Sequence, residues 1–88
     1  MTQTYTDLMD TVALMESDNY KLRFKAEYLQ TKIRYTKLHH MLIQYAAGTL
    51  DFEPNCPISL LEQQKSYMGN YLKTLEIRAE IEGINLDA

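Results

Sequence analysis

Lys21, Arg23, Lys25, Lys32, Arg34 and Lys37 crowd into residues 19–47, with Glu27 as the single acid among them. Tyr20 adjoins the first of these cations, and Lys21, Lys25, Tyr28 and Lys32 recur at helical spacing. Ammonium and guanidinium groups meet phosphate charge, and a flat phenol ring stacks on a base for about 1–3 kcal/mol. Such a row suits an anion built of phosphates and bases. A basic helix beside acidic ones is equally what charge pairing between helices or subunits produces, and exposed lysines are commonly just a solvated face.

The rest of the chain narrows the choice. Residues 19–47 carry +5, whereas the other 59 residues hold three basic and eleven acidic groups, and the 88-residue chain totals −3. An acidic exterior repels long nucleic acid. A small anion enclosed between protomers escapes that repulsion.

Catalysis finds little support. The glycines stand alone at Gly48, Gly69 and Gly83, so no phosphate-cradling loop is present. His39 and His40 are adjacent, which on a helix turns them about 100° apart, one toward a seam and one toward the surface. Cys56 has no base near it in sequence and reads as a buried structural thiol rather than a nucleophile. Glu80 and Glu82 fall on different helix faces. The sequence predicts a protein that is not an enzyme and that needs neither cofactor nor metal.

The elements that must position these residues are helical. The spacing predicts an all-α fold in a single domain over 1–88, with helices at about 5–16, 20–47 and 59–82. Thr4 is expected to cap the first, with Asp7 at its third position and Leu8, Val12 and Met15 as its apolar stripe. The second carries a seam of Leu22, Ala26, Leu29, Ile33, Thr36, His40 and Ile43. A flanking row of Phe24, Tyr28, Tyr35, Leu38, Leu42 and Tyr45 widens its apolar face. Ser59 and Glu62 read as a capping box for the third, whose face holds Leu61, Met68, Tyr71, Leu72, Leu75 and Ala79. Gly83 followed by Ile84 reads as a left-handed stop. Two long helices joined by roughly ten residues, Pro54 and Pro57 among them, fold back antiparallel. A hairpin of this size is short of core, and oligomerisation is the expected remedy. With one cysteine, no signal peptide and no apolar run of spanning length, the expected location is a reducing cytoplasm, away from membranes.

Three segments carry a resemblance: Lys25-Ala26-Glu27-Tyr28-Leu29-Gln30, then Leu60-Leu61-Glu62-Gln63-Gln64-Lys65-Ser66-Tyr67-Met68-Gly69-Asn70-Tyr71-Leu72, then Leu75-Glu76-Ile77-Arg78. Over residues 5–84 the chain resembles the anti-CBASS cyclic-nucleotide sponges of tailed phages. That resemblance implies a homohexamer, a trimer of dimers, which binds cyclic dinucleotides such as 3′,3′-cyclic GMP–AMP between protomers and cleaves nothing. It implies a viral counter-defence role in the host cytoplasm. It places the ligand on Tyr5 and on Lys21 or Lys25 with Arg23 close by, and Tyr20 and Tyr28 are the further rings able to stack. A second pocket for cyclic trinucleotides is implied, with Lys65 its candidate. The alternative is a protein-binding helical adaptor that inhibits a host protein; a small subunit of the phage particle is a third reading.

Overall fold

A computed structural model describes residues 7–87. One turn of 3-10 helix, Leu8–Thr11, runs into a short helix α1, Val12–Met15. Two long helices follow, α2 (Tyr20–Ala47) and α3 (Ile58–Glu82). At about 1.5 Å per residue, α2 alone accounts for the 42 Å long axis. Tyr28 meets Glu76, Tyr20 meets Glu82 and Lys65 overlies Tyr35, so α2 and α3 run antiparallel.

Local chemistry sets most of the ends. Asn19 has extended backbone, and its side chain accepts the Lys21 N–H at 2.9 Å, opening α2. Gly48 closes it at φ 75°, with the Thr49 N–H donating to the Gln44 carbonyl at 2.9 Å. Gly83 does the same for α3 at φ 69°, and the Ile84 N–H returns to the Ala79 carbonyl at 2.9 Å. Ile84 then buries itself against Phe24, Leu75 and Ala79. An added Cβ meets nothing within 4 Å at either glycine, so its cost is backbone strain alone. Gly83→Ala is expected to lose about 1 kcal/mol in urea unfolding, and Gly48→Ala a similar amount.

Two helix starts differ from the expectation. Asp7 is extended rather than helical, and Asp10 accepts its N–H at 3.1 Å, so the first turn begins at Leu8 and not at Tyr5. Thr4 and Tyr5 lie outside the described residues. Helix α3 begins at Ile58 behind Pro57, whose carbonyl accepts the N–H groups of Leu60 and Leu61 at 3.1 and 3.3 Å. Ser59 therefore sits inside the first turn, and the Ser59–Glu62 capping box does not form. Proline, with its fixed φ and no N–H of its own, is already a helix entry.

The core also takes a different row from the seam read in the sequence. Helix α2 buries Phe24 and Leu42 on the side of α3, with Tyr28 and Tyr35 half-buried beside them. Ala26 and Ile33 are buried on another side, where the N-terminal segment packs. Thr36, His40 and Ile43 are exposed, as is Leu22. Both histidines lie at the surface, and Cys56 is only half-buried. Tyr71 is 45% exposed and stands outside the α3 core row of Leu72, Leu75 and Ala79. In the N-terminal segment the fully buried side chain is Thr11 rather than one of the apolar trio. Its hydroxyl donates to the Leu8 carbonyl at 2.7 Å and accepts from Gln30 Nε2 at 2.9 Å, so burial leaves no polar atom unpaired.

Candidate ligand-binding face

The cations of α2 divide into two rows. At about 100° per residue, Lys21, Lys25 and Lys32 fall within about 40° of one another, while Arg23, Arg34 and Lys37 lie on roughly the opposite side. The structure brings Lys21, Lys25 and Tyr28 to the C-terminal end of α3. Lys21 Nζ donates to the Gly83 carbonyl at 3.4 Å, and Lys25 Nζ to the Asp87 carbonyl at 2.8 Å. The carbonyl end of a helix favours cations, so α3 gathers these ammonium groups in one place. Neutral carbonyls are weaker partners for them than phosphate oxygens.

Tyr28 borders a groove of about 430 Å³ with Glu76, Glu80 and Asp87. Its hydroxyl donates to Glu76 Oε2 at 2.8 Å. Burial, then that hydrogen bond, then the negative charges of Glu76 and Asp87 push the phenol up to about 12. A folded-state value above the ordinary value of about 10 means this group's contribution to stability is complete below that pH and is lost as pH rises toward 12. In a titration followed by phenolate absorbance, Tyr28 should ionise after the exposed tyrosines. Tyr28→Phe should remove that late step and nothing else.

The other side of α2 has different chemistry. Arg23 NH1 donates to the Ser17 carbonyl at 2.8 Å, tying the residues before α2 to the helix. Arg23 therefore does not join Lys21 and Lys25 within one protomer. Tyr20 donates to Glu82 at 2.9 Å and accepts from Arg78 NH2 at 2.8 Å, and Arg78 Nε pairs with Glu82 at 3.0 Å. The Tyr20 hydroxyl, aided by Arg78, holds the Glu82 carboxyl below its ordinary range, and the Glu82 hydrogen bond raises Tyr20. The Tyr20 ring meets Phe24 edge-on at 6.2 Å. This side also carries a groove of about 450 Å³ that includes Tyr67, Asn70, Tyr71 and Arg78, with the Tyr71 hydroxyl donating to Glu27. Sequence reasoning assigned Tyr71 to the core and missed this cluster. The i, i+4, i+11 spacing of Tyr67, Tyr71 and Arg78 was the available signal.

Lys65 occupies the far end of the hairpin, roughly 15 Å along the axis from Lys25. Its Nζ lies 5.9 Å from the Tyr35 ring centroid, beside a groove of about 560 Å³ between α2 and α3. Gly69 lets the ring lie close, since even a Cβ there would stand 3.5 Å from Tyr35 Cε2. His39 stacks near-parallel to Tyr35 at 6.4 Å. Among the described residues, no His, Cys, Asp and Glu side chains cluster to hold a metal, and no helix is long and apolar enough to cross a membrane.

Residues 18–81 match the Sequestin family. The chain belongs to that family. No curated protein and no solved structure matches it. The Sequestin match covers α2 whole and α3 to within a residue of its end, so both lysine positions and Lys65 lie inside it, whereas the 3-10 turn and α1 precede it. The name denotes sequestering, a binding role, and no enzyme family is indicated. Sequestration of a ligand asks for complementary charge and shape held in place, which the α2–α3 hairpin of this Sequestin supplies on either flank.

Proposed function

We propose that this Sequestin binds cyclic dinucleotide second messengers and withholds them, uncleaved, from the bacterial CBASS effectors they would activate. The supporting observation is the family match across the hairpin that gathers Lys21, Lys25 and Tyr28 at one end. In this reading Lys21 and Lys25 exchange their carbonyl partners for the two phosphates. Tyr28 lies alongside a base, and Tyr5 is supplied from the N-terminal residues. Tyr20 and Arg23 stand on the other side of α2, outside this cluster. Lys65 with Tyr35 is the candidate for a second pocket, of the size a cyclic trinucleotide needs. The protein acts in the cytoplasm of a phage-infected host as a homo-oligomer, a hexamer if it assembles as the sponges do. Withholding works by mass action, so its strength depends on affinity and abundance rather than turnover.

Calorimetric titration with 3′,3′-cyclic GMP–AMP and with a cyclic trinucleotide tests this directly, followed by denaturation and recovery of the ligand. Micromolar or tighter binding with intact ligand recovered is the expected result. No binding to any cyclic nucleotide overturns the assignment, and linear product points to a nuclease. Binding confined to nucleotides whose phosphates form a pyrophosphate keeps sequestration and replaces the ligand.

A further inference from the structure

We propose that the outer face of α3 is a two-fold, antiparallel contact with a second copy of this chain, centred between Asn70 and Tyr71. Leu60, Tyr67, Tyr71, Ile77 and Ile81 lie along this outer side of α3, between 45% and 79% exposed. On an ideal helix the row runs about 32 Å. Among the described residues the chain buries only eight apolar side chains, so large hydrophobes are left in water on the very helix that should be adding to the core.

Charge identifies the occupant. Helix α3 carries Glu62, Lys65, Lys73, Glu76 and Glu80 on its opposite half, and the stripe between Leu60 and Ile81 is otherwise filled by neutral Gln63, Gln64, Asn70 and Thr74. The two charges that reach its border, Arg78 and Glu82, are already paired with each other and with Tyr20. Glu27 of α2, beside it, takes the Tyr71 hydroxyl. A stripe neutral along its length offers nothing to a strongly charged partner and repels nothing in a copy of itself.

The order of residues selects the symmetry. An isologous contact requires each residue to face its mirror about the axis. With the axis between Asn70 and Tyr71, Leu60 lies beside the second copy's Ile81, Tyr67 beside its Thr74, and Tyr71 beside its Asn70. Aliphatic ends meet aliphatic ends, and the phenol rings meet small polar groups at the centre. In a parallel pairing Tyr67 and Tyr71 would face their own bulk and Ile81 only itself.

Single-cysteine variants in a Cys56→Ser background test the arrangement, because Cys56 is the one native thiol. Under mild oxidation Tyr71→Cys should link to itself across the axis. Leu60→Cys and Ile81→Cys should link only when the two proteins are mixed. In sedimentation, Tyr67→Glu with Ile81→Glu should weaken self-association by at least about tenfold while helical circular dichroism is kept, because two carboxylates would be desolvated without partners. A monomer at all concentrations overturns the proposal. So does Leu60→Cys linking to itself, or an oligomer indifferent to the two glutamates. The cross-links decide the matter alone where the double variant fails to fold. A dimer that binds no nucleotide upholds this contact and overturns only the ligand assignment.

Discussion

Reversing Lys21 and Lys25 together to glutamate should abolish capture of a phosphate-bearing ligand while leaving the helices intact. A charge-assisted hydrogen bond contributes about 1.5–3 kcal/mol, and every 1.4 kcal/mol is about tenfold, so losing two is worth more than roughly a hundredfold. Repulsion from the new carboxylates adds to that. The informative control is Arg23→Glu, which makes the same charge change about 200° around the helix from either lysine. Calorimetry on both, with circular dichroism to confirm folding, should show collapse for the lysine pair and less than about a threefold change for Arg23→Glu. An equal loss from Arg23→Glu would mean that the ligand spans both rows, with Arg23 reaching it from a neighbouring protomer.

Phe24→Ala is expected to be the most destabilising single truncation in the hairpin. Phe24 is 4% exposed and joins Leu75, Ala79 and Ile84 in one buried cluster. The Arg78 guanidinium also lies 4.8 Å above its ring. Emptying that site costs about 3–5 kcal/mol, to which the lost cation–ring contact adds about 0.5–1 kcal/mol. Domains of this size hold about 5–15 kcal/mol in all, so a third or more of the stability goes with one side chain. Thermal melts should fall by at least about 15 °C. Met9→Ala, at a position 76% exposed, should change little. A Phe24→Ala loss below about 1 kcal/mol would place the core elsewhere.

The helix limits were legible where local chemistry decides them. The Asn19 cap and the glycines at 48 and 83 gave α2 its observed bounds and α3 its observed end. The start of α3 misled because Ser59 and Glu62 have the right types at the right spacing, yet Pro57 two residues earlier is the better entry. The rows that α2 buries could not be read from α2 alone. Apolar residues occur on several of its faces, and only its two neighbours choose among them. Thr11 gave no hydrophobic signal, since it is buried through hydrogen bonds to Leu8 and Gln30. For the site, the net charge of residues 19–47 was correct but described as one feature what helical rotation divides into two. The groove of Tyr67 and Tyr71 depends on which side of α3 is covered, which the sequence leaves open.

The Thr11–Gln30 bond joins two parts of unequal standing, for Gln30 lies within the Sequestin match and Thr11 precedes it. Besides this bond, Gln30 reaches the Met15 sulfur and Arg23 reaches the Ser17 carbonyl. Few fastenings and a small apolar contact make the N-terminal segment a separate cooperative unit, one that opens at lower free energy than the hairpin. Amide protons of residues 12–15 should therefore exchange through a sub-global opening, well before those at the centres of α2 and α3. Such an opening bares Ala26 and Ile33 without disturbing Lys21 or Lys25, so the molecule can breathe on one side while its lysine row stays assembled.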